Sequence, residues 1–492
     1  MRRTEKLRIR RAGAAVGLVA LLAGCTLGPD YQRPELSVPA QYRGATPPTA
    51  AELALADTAW WRQFGDAELD ALIAEGLRNN LDLVAAAARV EQFYGALGTT
   101  RAQLFPQIGA DAAGSRTRAS EKTISPAPSI NPYNAGQVTL LASWEIDLFG
   151  RTRRLTEAAN AELQASEAFR RGTVLSVVAA VTTGYVRLRE QDRELEVARS
   201  TLGLRTDSLK LFERRFKGGV VSAVEVSQAR SEYATALRAV PVLLQAITEQ
   251  ENALSVLIGR DPGPIARGRS IDALASPAVP AGLPSELLDR RPDIVQAEQT
   301  LVAANARIGA AKAAYFPTIS LTGAFGQASR SLSDLWGGPA RVWSYGADVS
   351  LPIFTAGAIA GQVASAEAAQ RGALAQYRKT VQAAFGETAD ALSGIGNSRE
   401  SLDAQQIQVT ALINYARLAR KRFEGGYTSY LEVIDAERSL FNAEVQLAQA
   451  QGDVLLSAAA LYKALGGGWV DLANQDSPQP AVKLSERPRA WP

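Results

Sequence analysis

The 492-residue chain contains no histidine, one cysteine and one methionine. These absences remove most side-chain routes to catalysis. No Ser-His-Asp or Cys-His nucleophile can be built, no imidazole can serve as general base, and no histidine can hold a metal. Carboxylate-only and Ser-Lys chemistry stay open, but no motif points to either. No catalytic residue, resident metal or small-molecule cofactor is therefore expected. After residue 25, nothing approaches the ~18 uninterrupted apolar residues of a membrane-spanning helix. A large basic surplus is missing too. The formal charge is +3, and the first 24 residues alone carry six basic side chains against Glu5, so the remainder is slightly acidic. Charge gives no support to a nucleic-acid partner.

The single cysteine has a context. MRRTEKLRIRRAGAAVGLVALLAGC runs from a basic segment through an apolar one to Leu22-Ala23-Gly24-Cys25, the form of a secretory signal ending in a lipobox. Residues 1–24 are expected to be removed and Cys25 to carry covalent lipid. A buried structural cysteine is the plainer alternative. Thr26, rather than aspartate, follows it, the pattern of bacterial lipoproteins destined for the outer membrane.

The chain also repeats itself. RFKGGVVSAVEV (215–226) returns as RFEGGYTSYLEV (422–433), NLDLVAAAARV (80–90) as RPDIVQAEQTL (291–301), and RAQLFPQI (101–108) as KAAYFPTI (312–319). ASWEIDLFG (142–150) answers to ADVSLPIFT (347–355), so the offsets are 207, 211, 211 and 205 residues. A unit of roughly 200 residues is duplicated, which sets the architecture. In each half a helix should end at the Phe-Pro pair, Phe105-Pro106 or Phe316-Pro317, because proline cannot continue it. Two strands follow, at about 107–118 and 137–149, and again at about 318–329 and 341–353. Val138, Leu140, Ala142, Trp144 and Ile146 alternate with Thr139, Leu141, Ser143 and Glu145. Trp343, Tyr345, Ala347, Val349 and Leu351 alternate with Ser344, Gly346, Asp348 and Ser350. Strands of ~10 residues with one apolar face fit a transmembrane barrel; the core of a soluble sandwich uses the same alternation.

A proline-free helical pattern then runs from about Thr152 to Phe216, and again from about Ile359 to Phe423. At 1.5 Å per residue each helix reaches about 100 Å, far beyond the need of a globular domain. Shorter helices, 222–258 and 429–465, run back alongside. The repeated stretch is the turn between them. Arg214, Arg215 and Lys217 place cations at the first helix's C-terminus, Gly218-Gly219 stop it, and Ser222-x-x-Glu225 reads as a capping box for the next. Arg422, Gly425-Gly426 and Ser429-x-x-Glu432 repeat the device.

The expected division is a signal peptide (1–24), a lipidated collar segment (25–65), a first repeat (66–258), a Pro/Gly-rich connector (259–285), a second repeat (286–465) and a collar tail (466–492). The fold class is α+β: long helical hairpins plus four barrel strands per chain. Four strands cannot close a membrane barrel, since the smallest have about eight, and an open edge in lipid leaves backbone groups unpaired. Several chains must share one barrel. With the helices as a tube, that makes a conduit.

The mature chain resembles the TolC-like outer-membrane efflux proteins, in their lipoprotein branch. GCTLGPDYQRPE (24–35), WWRQFGDAELDALI (60–73), NNLDL (79–83), SWEIDLFGR (143–151), LPSELLDRRPDI (283–294), FPTISLTGAFG (316–326) and the two glycine hairpins carry the resemblance. It implies a homotrimer with a twelve-stranded barrel in the outer membrane. It also implies a helical tunnel in the periplasm, docked to an inner-membrane pump, often of the RND type, through a periplasmic adaptor. The exported substrates are drugs or other small toxic compounds, and in some members metal ions or proteins. The resemblance places a periplasmic gate at Leu431, Glu432 and Asp435, the family's paired aspartates standing here as Glu432 and Asp435. Tyrosine and arginine links that tie the tip in some members are replaced by Phe423 and Thr428. Gly218, Gly219, Gly425 and Gly426 mark the tips facing the adaptor. Plainer roles exist for all of these: Glu432 as a cap, Asp435 as a helix-dipole partner, Leu431 in packing. A pore-less lipid-anchored scaffold is the rival from another class, and it has no use for amphipathic, aromatic strands.

Overall fold

The computed structural model describes residues 26–36, 58–122, 129–278, 287–466 and 469–481. The signal segment, Cys25, residues 37–57 of the N-terminal segment, residues 279–285 of the connector, residue 286 of the second repeat and residues 467–468 and 482–492 of the tail lie outside them.

Each half is built on one plan. In the first, α1 (Ala67–Asn79) leads into α2 (Leu81–Ala102), β1 (Gln107–Thr117), β2 (Tyr133–Ile146), α3 (Arg151–Lys217) and α4 (Ala223–Leu257). In the second, a helical turn at Leu287–Arg290 precedes α5 (Pro292–Ala313), β3 (Thr318–Ser329), β4 (Arg341–Ser350), α6 (Ala358–Glu424) and α7 (Tyr430–Leu465). A short α8 (Trp469–Gln475) closes the described chain. Helices α2 and α5 stop a few residues before Pro106 and Pro317, as the proline rule requires. The long helices α3 and α6 each span 67 residues. No helix among the described residues is long and apolar enough to cross a membrane.

The strands form one antiparallel sheet in the order β1-β2-β3-β4. Its register places every apolar set on the same face. Ile108, Ala110 and Ala112 lie opposite Ala142, Leu140 and Val138. Leu140, Trp144 and Ile146 lie opposite Phe325, Leu321 and Ile319, which in turn face Trp343, Ala347 and Val349. The other face carries Asp111, Thr139, Ser143, Glu145, Ser320, Thr322, Asp348 and Ser350. The register corrects one detail of the repeat. Gln107 pairs with Ser143 and its equivalent Thr318 with Ser350, so β4 matches β2 at an offset of 207 residues, not 205. A two-residue slip leaves each side chain on its own face, because the strand period is two; the hydrophobic pattern alone cannot detect it.

Flanking segments pack on the helices. Trp60, Trp61 and Phe64 are buried against Tyr462 of α7 and Trp469 of α8, with the Trp60 and Tyr462 rings nearly parallel at 4.9 Å. Ile265, Ile271 and Leu274 of the connector join this cluster around Tyr185 of α3. Asp66 holds it together. Its carboxylate caps α1 by accepting from the Glu68 and Leu69 amides, and it also accepts from the Tyr185 hydroxyl at 2.9 Å and the Arg269 amide at 2.7 Å.

Candidate functional site

Two regions could carry function, the hairpin tips and the sheet with the segment beneath it. At the first tip, the Val220 amide donates to the Arg215 carbonyl at 2.9 Å and the Gly219 amide to the Phe216 carbonyl at 2.9 Å. Gly219 has φ +68°. This is the Schellman ending, which needs a residue free to enter the left-handed region. The capping box follows as read: the Ser222 amide donates to Glu225 Oε2 at 2.7 Å, and the Ser222 side chain accepts in return.

The second tip stops in the same way, with Tyr427 N to Arg422 O at 2.8 Å and Gly426 at φ +74°. Its capping box does not form. The Ser429 side chain makes no cap bond. Glu432 instead accepts from Arg422 Nη1 at 2.9 Å and from the Thr428 hydroxyl. The difference has a physical cause. Arg215, the first-half counterpart of Arg422, lies over the Phe423 ring at 5.6 Å, which leaves Glu225 free to cap. Arg422 is available to Glu432, and its guanidinium, charged where a backbone amide is not, competes for the carboxylate. Thr428 thus supplies a hydroxyl, and Phe423 a ring, where the resemblance pointed to missing links.

Leu431 is 58% exposed. Asp435 is half-exposed, 3.3 Å from Arg438 one turn along the same helix. Leu431, Glu432 and Asp435 occupy the first turns of α7 beside the glycine turn, so one hairpin brings the three together. Gly218-Gly219 and Gly425-Gly426 sit at neighbouring tips, joined by a cluster that pattern reading missed. The Phe212 ring packs 4.0 Å from Tyr430 and 6.0 Å from Phe423. Deeper in, the buried Arg205 pairs with Glu437 at 3.0 Å and Glu232 at 3.5 Å, and Arg420 also pairs with Glu437. Burial raises the Tyr430 phenol above its usual range. The repeat hides these residues, since Glu437 corresponds to Arg230 and Tyr430 to Ala223.

Further along the bundle, α3 and α7 enclose acids. Burial, then repulsion from Glu194 and Asp453, pushes Glu190 up to about 7, against the pull of Arg187. Burial also raises Glu194, which accepts from Gln449 at 2.7 Å. No group of three or more His, Cys, Asp or Glu side chains among the described residues is placed to hold a metal ion.

Where the sheet meets the helices, residues 26–36 run along α5. The Leu27 amide donates to the Phe149 carbonyl at 3.4 Å, and Leu27 O accepts from Arg154 Nε at 3.0 Å. Arg154 also pairs with Asp30 at 2.7 Å, Asn305 donates to the Pro29 carbonyl at 2.9 Å, and Arg33 bridges Asp289 and Glu298, each at 3.0 Å. Gly28, at φ +92°, lies so close to α5 that a Cβ would sit 2.4 Å from Gly309 Cα. Thr26 rests against Gly150, between the end of β2 and the start of α3. Its predecessor Cys25 lies outside the described residues.

A family model described as outer membrane efflux protein matches residues 72–260 and 283–467, which coincide with the two halves. The toluene efflux pump outer membrane protein TtgC of Pseudomonas putida is 37% identical over 467 residues, covering 94% of this chain and 96% of the relative. The cation efflux system protein CusC of Escherichia coli is 34% identical over 451 residues, covering 91% and 96%. Among solved structures, the outer-membrane channel OprN is similar with a TM-score of 0.82 at 30% identity, over 91% of this chain and 100% of that one. The open state of the MtrE outer membrane channel of Neisseria gonorrhoeae gives 0.78 at 33% identity, over 90% and 99%.

Proposed function

The chain belongs to the outer membrane efflux protein family, and from that premise we propose that three copies assemble into the exit duct of a tripartite efflux system. It is an outer-membrane efflux channel; the trimer, the lipid anchor, the partners and the gate are the reading developed here. One observation carries it: a four-stranded sheet with one continuous apolar face and two unpaired edges, mounted on 67-residue helices. In lipid, each unpaired edge leaves a row of backbone groups unsatisfied, at several kcal/mol per group. Three copies closing edge to edge make twelve strands and satisfy all of them. The helices then prolong the barrel into a periplasmic tunnel, whose glycine tips at Gly218, Gly219, Gly425 and Gly426 meet a periplasmic adaptor of an inner-membrane pump of the RND type.

Lipid on Cys25 fits this placement. Thr26 lies at the sheet-helix junction, so an acyl chain on the preceding residue enters the leaflet nearest the periplasm. The cargo is small toxic organic compounds, the class to which toluene belongs. A dedicated soft-metal duct would gain from thioether and imidazole ligands, and this chain has one methionine and no histidine. The pump sets specificity, and the duct conducts passively. Native mass spectrometry of protein extracted from outer membranes tests the assembly, with three chains per particle and acyl mass on Cys25 expected. A stable monomer would contradict the duct, and an unmodified Cys25 would contradict the anchor alone.

A further inference from the structure

Charges are sorted by sign between the two faces of the sheet. Successive strand residues point to opposite faces, so the register assigns every side chain to one of them. On the polar face the charged residues are Asp111, Glu145 and Asp348, all acids. On the apolar face they are Arg116 and Arg341, both bases. The two arginines also share an end. Arg116 lies beside Asn134 near the close of β1, and Arg341 opens β4 beside Gln327. Helices α2, α3, α5 and α6 all join the opposite end of the sheet. Resting on the shared-barrel reading above, we infer that Arg116 and Arg341 bind the phosphate groups of lipids in the outer leaflet of the membrane.

The level in the membrane fits that ligand. With the helices in the periplasm, the arginine end of the sheet reaches the outer leaflet. A charged side chain on the lipid face of a barrel is costly at mid-bilayer and tolerated near the headgroups. Aromatic residues mark that level. Trp343 and Tyr345, two and four residues along the same face from Arg341, stack at 5.7 Å with planes 6° apart. They stand 66% and 82% exposed, and such rings settle at the membrane-water interface. Arg341 is thereby placed among the headgroups. Below Arg116 the same face carries Gly114, Ala112 and Ala110, a shallow path along which an acyl chain can lie.

The chemistry fits as well. Both arginines are exposed, and neither guanidinium has a hydrogen bond, ion pair or ring contact among the described residues. Their strand neighbours Asn134 and Gln327 are neutral, so no carboxylate on this face competes for them. A guanidinium presents a planar fork that meets two oxygens of one phosphate. The apolar face beneath receives the acyl chains attached to that phosphate. A soluble anion would gain only the first of these contacts, which is why the ligand is a lipid.

Native mass spectrometry of the full-length protein, stripped of lipid in detergent, tests the site by titration with diphosphoryl lipid A. The same lipid without its phosphates, and inorganic phosphate alone, are the comparison ligands. Wild-type trimer should retain diphosphoryl lipid A and roughly tenfold less of either comparison ligand. Arg116→Ala/Arg341→Ala should stay trimeric and lower retention by a similar factor. Arg116→Lys/Arg341→Lys should keep part of it, having the charge without the fork. Arg330→Ala should bind as wild type, because Arg330 lines a cavity with Ser115, Gln137 and Ala328 of the polar face. Equal retention by wild type and the double alanine variant overturns the site and leaves the duct standing. So does equal retention of the lipid with and without phosphates, or inorganic phosphate bound as tightly as the lipid. A double alanine variant that falls to monomers before lipid is added puts the arginines in contacts between copies, which overturns the lipid site too. Wild-type protein that never forms an oligomer overturns the shared barrel, and the site with it.

Discussion

Glu190 is held in an environment unlike water by burial between α3 and α7, and the sign of its effect can be worked out. Burial and two neighbouring acids hold it near 7 rather than its ordinary 4.5. The folded state therefore keeps a proton that the unfolded chain releases. Between about pH 4.5 and 7 stability falls as pH rises, and above about 7 the cost of the buried charge is fully present. Melting temperature of the detergent-solubilised protein should be higher at pH 5.5 than at pH 8. Glu190→Gln should raise the pH 8 value and flatten the dependence over that interval. An unchanged profile in the variant would show that Glu190 is charged and solvated. Residues such as this are invisible to pattern reading, because Glu190 stands in an ordinary polar stretch and acquires its neighbour Asp453 only when α3 and α7 pack together.

At the scale of elements, the two turns read alike in sequence and differ in bonding. Ser222-x-x-Glu225 forms its box, whereas Ser429-x-x-Glu432 gives its carboxylate to Arg422 and Thr428. Glu225→Ala should cost about 1 kcal/mol at the start of α4 and speed amide exchange over 223–226 roughly fivefold. Glu432→Ala should instead speed exchange in the turn, 422–428, with an effect that shrinks in 1 M salt, because Arg422 is largely exposed. Equal acceleration at both helix starts would restore the capping role to Glu432. Most elements were legible because their signals are local: Phe105-Pro106 and Phe316-Pro317 end helices, alternation marks strands, and glycine pairs mark turns. The two-residue slip of β4 was not, since period two is blind to even shifts. The strap of residues 26–36 along α5 was not either. It is held by Arg154, Asn305 and Glu298, partners far off in sequence whose residue types carry no pairing code.

For the whole molecule, the proposed threefold ring would turn each tip residue into three. In that ring Asp435 would supply three carboxylates, and if they stand close together their mutual repulsion opposes closing while attracting cations. On this proposal closure would rest on packing, for which the exposed Leu431 is available. The resemblance read from sequence supplied this placement, and the structure adds that Arg438 accompanies Asp435 and that Arg422 and Thr428 restrain Glu432. The central claim, a conduit through the outer membrane narrowed at its periplasmic tip, is tested most directly by single-channel current in planar bilayers. Purified wild-type protein should give small, discrete, cation-preferring steps. Leu431→Ala should give larger steps, and Asp435→Ala should lose cation preference with little change in step size. Protein that inserts as a trimer yet passes no current in any of the three forms would contradict the account.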